Sequence, residues 1–126
     1  MIIHLDTNYL VRLKRHDSDE ARHVRDWVKG RATFGTSSIA WTEFLCGPLD
    51  PGEPESVRTI VGMPLPFAEA DAELAAELFN RGGRRRNSLA DCQIAALAIR
   101  ARASLATADR AGFARFAAAG LRLADE

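Results

Sequence analysis

The sequence predicts an α/β protein, a parallel sheet of about five strands flanked by helices. Two observations carry that reading. The run Ile2-Ile3-His4-Leu5 is short and mainly apolar, and Asp6-Thr7-Asn8 bounds it, as expected of a strand buried on both faces. From there to the end of the chain, short strand-like runs alternate with longer segments of helical period. That is the pattern of strands joined by right-handed helical crossovers. No repeat, low-complexity stretch or interdomain linker interrupts it, so residues 1–126 are expected to form one domain.

The elements follow in order. Ile2 to Leu5 is the first strand, and Thr7 to Lys14 continues as a helix carrying Tyr9, Leu10 and Leu13. Ser18 to Lys29 is a second helix, with Ala21, Val24 and Val28 on one stripe and Gly30 as its stop. Thr33 to Thr36 is a brief strand, after which Ser37 or Ser38 caps a helix ending at Cys46 before Gly47-Pro48. Leu49 to Pro54 reads as a loop, Ser56 to Val61 as one or two helical turns, and Pro64-Leu65-Pro66 as extended, at best a short strand. Ala70 to Phe79 is an amphipathic helix that packs Ala75, Leu78 and Phe79 and turns Glu73 and Glu77 to water. Gly82-Gly83 ends it, and Asn87 or Ser88 opens the most apolar helix, running to about Arg102. Ser104 to Thr107 is a strand, Arg110 to Ala118 a helix, and Leu121 to Leu123 a last strand.

Composition narrows the function. With 126 residues, a chain can bury roughly two thirds of its unfolded surface and needs no disulfide staples. Apolar residues make up 47% and no run is long enough to cross a membrane. The start lacks the basic region and cleavage site of a secretory signal, so a cytoplasmic location is expected. Cys46 and Cys92 have no metal-type spacing and read as reduced, small apolar residues. The 17 basic and 17 acidic residues cancel, which argues against a sequence-blind polyanion binder but leaves room for local patches. Basic residues cluster at 12–15 and at Arg81-Gly82-Gly83-Arg84-Arg85-Arg86; acids cluster at Asp50–Glu55 and Glu69–Glu77. A solvated surface is the ordinary reading of such runs; a docking strip for RNA or an acidic partner is the functional one.

Four carboxylates stand out against apolar neighbours. Asp6 directly follows a strand and precedes a helix. It reads as an N-cap, or as a ligand at the carboxyl end of a parallel strand, where sites in open α/β sheets lie. Glu43, in Trp41-Thr42-Glu43-Phe44, shares a helical face with Ile39 and Cys46; it either reaches solvent from the stripe edge or needs a partner. Asp91 has capping-box spacing from Ser88, yet it shares a stripe with Ile94, Ala95 and Ala98 and so faces the protein body. Asp109 follows a strand and reads as an N-cap, with the Thr107 hydroxyl on the same side. Together the four are expected to converge on one sheet edge. Bare carboxylates about 4 Å apart repel by roughly 4 kcal/mol at an effective dielectric near 20. A hard divalent cation offsets this, and an all-oxygen donor set suits Mg²⁺ or Mn²⁺. His4, His16 and His23 lack ligand spacing.

With these residues in view, the chain resembles the PIN-domain proteins, of the VapC toxin type from toxin–antitoxin pairs. The resemblance rests on Asp6-Thr7-Asn8 after the first strand, Glu43 in Trp41-Thr42-Glu43-Phe44, Asp91 in Leu89-Ala90-Asp91-Cys92-Gln93-Ile94, and Thr107-Ala108-Asp109 followed by Phe113. It implies a PIN-like fold and a metal-dependent endoribonuclease, with Asp6, Glu43, Asp91 and Asp109 as an acidic quartet holding one or two Mg²⁺ or Mn²⁺ ions. Thr107 and Asn8 would support that quartet. It further implies an RNA substrate, a cognate antitoxin whose tail lies near the site, and a homodimer. A divalent cation at such a site supplies an activated water and stabilises charge on the phosphate, so 5′-phosphate and 3′-hydroxyl ends are expected. Asp109 or Glu43 would orient the water or take its proton. Arg84, Arg85 and Arg86 would hold flanking phosphates or an acidic antitoxin tail.

Two other classes compete. A phosphatase using Asp6 as nucleophile would usually place a second Asp where Asn8 stands. A non-catalytic, Mg²⁺-binding receiver-like module would need a late lysine, whereas Lys14 and Lys29 are both early.

Overall fold

The computed structural model describes residues 1–125. Among these, four strands form one parallel sheet in the order β2-β1-β3-β4. They are β1 (Ile2–Leu5), β2 (Thr33–Gly35), β3 (Ser104–Ala106) and β4 (Arg122–Leu123). β1 is central: Ile2 to His4 pair with Thr33 to Gly35, and Ile3 to Leu5 pair with Ser104 to Ala106. Its three residues Ile3, His4 and Leu5 are all buried, as a strand covered on both faces requires. The fifth extended segment, Pro64-Leu65-Pro66, is reduced to a single parallel bridge between Leu65 and Ser37. The cause is local, because neither flanking proline has an N–H to extend the ladder.

The helices are α1 (Thr7–Arg12), α2 (Asp19–Lys29), α3 (Ser38–Cys46), α4 (Glu53–Val61), α5 (Glu69–Arg81), α6 (Leu89–Arg100) and α7 (Arg110–Ala114). A 3-10 turn follows at Ala117–Ala119. Ser18 caps α2 by accepting from Ala21 N, and Ser37 caps α3 by accepting from Ala40 N. α4 starts earlier than its apolar residues suggest. Pro54 sits in its first turn, where a missing N–H costs nothing, so the Pro-rich stretch is partly helix rather than loop.

The core joins Ile3 and Leu5 of β1 and Leu105 of β3 to Leu10, Ala40, Phe44, Ala95, Phe113 and Phe116. A fully buried side chain of this size contributes roughly 2 kcal/mol. α6 is apolar on nearly all sides because it lies under α5 and α3 as well as beside β3. Two acids in the runs read as solvated surface are buried instead. Asp71 of α5, fully buried, takes two guanidinium bonds from Arg100 of α6 and one, at 2.8 Å, from Ala68 N. Burial pushes its carboxyl up, but Arg100 holds it below the usual carboxylate range. Glu53 accepts from Lys14 at 3.2 Å and from Asp50 N at 2.9 Å. Lys14 and Arg12, which pairs with Glu20 at 2.6 Å, are thereby drawn into internal ion pairs. No helix among the described residues is long and apolar enough to cross a membrane.

Candidate active site

The strand order creates the site. From β1 the chain moves to β2 on one side and later to β3 on the other, so the connections diverge beyond the carboxyl ends of β1 and β3. Such a switch point leaves a crevice where open α/β sheets bind ligands. Asp6 is the first residue past β1, and its N–H bonds to Ala106 O at the end of β3. Its side chain is buried and fixed from two directions: Oδ1 accepts from Thr7 N and Oδ2 accepts from the Thr107 hydroxyl, both at 2.8 Å. Burial pushes the Asp6 carboxyl up to about 6, and the negative charges of Asp91 and Glu43 add to the rise; the Thr107 and Thr7 hydrogen bonds oppose it.

Thr107 serves two acids at once. Its hydroxyl donates to Asp6 and accepts, at 3.1 Å, from Asp109 N. Asp109 caps α7 as its position suggests, Oδ1 accepting from Gly112 N at 3.0 Å. Gly112 is required there, because a Cβ at that position would overlap the Asp109 carboxylate. Asn8 turns away from the acids: its Oδ1 accepts from Ala108 N at 3.1 Å and ties α1 to the segment bearing Asp109. It therefore buttresses the loop rather than acting as a second acid.

Glu43 lies on the exposed face of α3, and its Oε1 accepts from the Thr7 hydroxyl at 2.6 Å. Thr7 is thus a site residue that sequence reasoning passed over between Asp6 and Asn8; its place at the first position of α1 was the available signal. Asp91 is half-buried in the first turn of α6. The capping-box reading fails for it, since the Ser88 hydroxyl donates to Arg85 O at 2.6 Å and makes no cap bond. Asp91 makes no hydrogen bond among the described residues. Burial pushes its carboxyl up, Asp109 and Glu43 push the same way, and the Arg115 guanidinium opposes them.

Hydrogen bonds and mutual charge therefore link all four acids: Asp6 to Asp109 through Thr107, Asp6 to Glu43 through Thr7, and Asp91 to Asp6, Glu43 and Asp109 through charge. Among the described residues no group of three or more His, Cys, Asp or Glu side chains is drawn closely enough to hold a metal ion as it stands. Neighbouring like charges set apart in this way are the arrangement that repulsion favours without a cation. The donor set is carboxylate and hydroxyl oxygen throughout, which fits a hard cation such as Mg²⁺ or Mn²⁺. His4 is buried on β1 against Gly35, and burial pushes its imidazole down to about 4, so it packs as a neutral ring.

Arg84, Arg85 and Arg86 lie exposed on the turn between α5 and α6, and Arg84 Nε donates to Asn80 Oδ1 at 3.1 Å. Arg115, which sequence reasoning did not single out, sits beside Asp91 instead.

The comparisons agree with this picture. The family model described as PIN domain matches residues 3–119. No curated protein matches the chain. Among solved structures, VapBC2 from Rickettsia felis, bound to a DNA fragment from its promoter, superposes with a TM-score of 0.76 at 22% identity, over 100% of this chain and 99% of that one. VapBC-1 from nontypeable Haemophilus influenzae gives 0.73 at 20% identity, over 99% and 98% of the two chains. VapBC-5 from Mycobacterium tuberculosis, a member of the VapBC family of toxin–antitoxin systems, gives 0.58 at 21% identity, over 97% and 98%. At these identities the likeness is one of fold.

Proposed function

Given that the chain belongs to the PIN-domain family, we propose that it is a metal-dependent endoribonuclease of the VapC type, the toxin of a toxin–antitoxin pair. The observation that carries this is Asp91, a half-buried carboxylate with no hydrogen bond among the described residues and with acids on every side but that of Arg115. Such a group is costly unless a cation offsets it. Asp6, Glu43, Asp91 and Asp109 would hold Mg²⁺ or Mn²⁺, which supplies Lewis acidity and an activated water for phosphodiester cleavage.

The chain's own residues divide the remaining work. Asp6, with both oxygens engaged by Thr7 and Thr107, is the fixed anchor of the site. Thr107 holds Asp109 in register with it. Glu43 Oε2 and Asp109 Oδ2 make no hydrogen bond among the described residues, so either oxygen is placed to take the proton of the attacking water. The likeness to toxin–antitoxin complexes supports a cognate antitoxin as the partner that covers this site.

The test is to digest total cellular RNA with protein freed of any partner, in Mn²⁺, Mg²⁺ or EDTA, and to map the ends of the fragments. Discrete fragments with 5′-phosphate and 3′-hydroxyl ends, absent in EDTA and absent with Asp91→Ala, are expected. Cleavage that persists in EDTA, or 2′,3′-cyclic phosphate ends, would contradict the proposal.

A further inference from the structure

The acid cluster accounts for the carboxylates at the sheet edge but not for the arginine beside them. Arg115 follows α7 and is half-buried, its guanidinium 4.4 Å from the centre of the Phe116 ring. Its Nε is buried and has no hydrogen-bond partner, the one such side-chain atom among the described residues. It forms no ion pair there either, although Asp91 is near enough to feel its charge. Other arginines are satisfied: Arg12 by Glu20, Arg81 by Glu77, Arg100 by Asp71. A buried charged donor without a partner calls for an explanation.

The surroundings supply one. Arg115 lines a hollow of about 180 Å³ with Leu78, Arg81, Gly82 and Phe116, at the junction of α5 and the segment after α7. Gly82 matters because a side chain there would approach the Arg115 guanidinium, a Cβ already lying 3.9 Å from Nη1. The hollow is therefore walled by two guanidinium groups and a bare backbone turn, with ring and aliphatic surface behind. Its volume suits a single phosphate group, and the fork of an arginine matches phosphate oxygens in a bidentate fashion.

We propose that Arg115, seconded by Arg81, seats a backbone phosphate of the RNA strand flanking the scissile bond. This rests on the ribonuclease reading of the adjacent acids. Two guanidinium groups beside a carboxylate cluster have opposite tasks: the acids require a cation, and the arginines draw in the polyanion those acids would otherwise repel. The placement favours RNA over an acidic protein tail because the free guanidinium adjoins Asp91, where the strand must pass to be cut.

The experiment follows the Arg115 Nε–H resonance by ¹⁵N NMR in wild-type protein in EDTA, at constant ionic strength. The titrants are inorganic phosphate, a short single-stranded RNA and an acidic peptide. A saturable shift of Arg115 with phosphate and RNA, larger than for Arg84 to Arg86, is expected. In cleavage assays, Arg115→Ala should raise KM about tenfold and flatten the salt dependence of log kcat/KM by about 0.7, the share of one phosphate contact on a single strand. kcat should stay within about twofold, and Arg115→Lys should recover part of KM. A signal unmoved by RNA in an enzyme that cleaves RNA, or one that moves only with the peptide, overturns the proposal. So does a loss confined to kcat, which would make Arg115 a tuner of Asp91. Wild-type protein that cuts no RNA in any metal removes the ribonuclease reading instead, and the NMR titration separates the two failures.

Discussion

Replacing Asp6 with Asn should make the metal-free protein more stable while removing its activity. The folded state holds Asp6 at 6% exposure and raises its carboxyl from 3.8 to about 6. At about 1.4 kcal/mol per pH unit, keeping Asp6 ionised in the fold at pH 7.5 costs roughly 3 kcal/mol. The sign follows from proton binding. Between pH 4 and 6 the folded state carries more protons than the unfolded one, so stability falls as pH rises through that window and stays lower above it. Asn is neutral at every pH and keeps an oxygen for Thr7 N. Its amide would face Thr107, whose hydroxyl must then stop donating, at a cost of about 1 kcal/mol. The net gain at pH 7.5 is about 2 kcal/mol, near 6 °C in Tm for a chain of this length. Thermal and urea unfolding in EDTA at pH 7.5 and pH 4 measure it. The gain should vanish at pH 4, where Asp6 is protonated in both states. Saturating Mn²⁺ at pH 7.5 should stabilise the wild type and leave Asp6→Asn unmoved. An Asp6→Asn protein that is less stable at pH 7.5, or equally more stable at both pH values, would refute the reasoning.

Other perturbations read neighbouring contacts. Thr107→Val removes the donor to Asp6 and the acceptor of Asp109 N; it should cost about 2 kcal/mol in urea unfolding. It should also raise the Asp6 carboxyl above 6, so the pH midpoint of Mn²⁺ binding moves up. Gly112→Ala displaces the Asp109 carboxylate from its cap; kcat should fall at least tenfold with a stability loss of about 1 kcal/mol. Asp71→Ala leaves Ala68 N and Arg100 without their partner. Because Arg100 is 42% exposed on its side chain and can turn to water, the loss should be about 2 kcal/mol rather than the larger cost of a fully buried pair. The urea midpoint should fall with an unchanged slope, and cleavage should keep its kcat.

Most of the architecture was legible because it rests on short-range signals. Apolar runs ended by Asp or Thr located β1 and β3, and serines located the starts of α2 and α3. What escaped depends on partners distant in sequence. Asp71 looked like one acid of a solvated helix face until Arg100, on another helix, took it inside. Glu53 was read as loop, but Lys14 and the first turn of α4 bury it. The spacing of Ser88 and Asp91 suggested a capping box, and only the turn of Ser88 toward Arg85 O leaves Asp91 bare. The four acids were identifiable from their position after strands or on apolar helix faces. Thr7 and Arg115 were not, because a threonine beside an aspartate and an arginine beside a phenylalanine carry no signal until the fold sets them against Glu43 and Asp91.

The central claim is that the four carboxylates constitute one divalent-cation site. Titrating Mn²⁺ into wild-type protein, Asp91→Asn and Glu43→Gln, with free Mn²⁺ read by electron paramagnetic resonance, tests it most directly. Saturable binding in the wild type, weakened at least tenfold in each variant while both stay folded, is the predicted result. Binding of equal strength in all three proteins would contradict it.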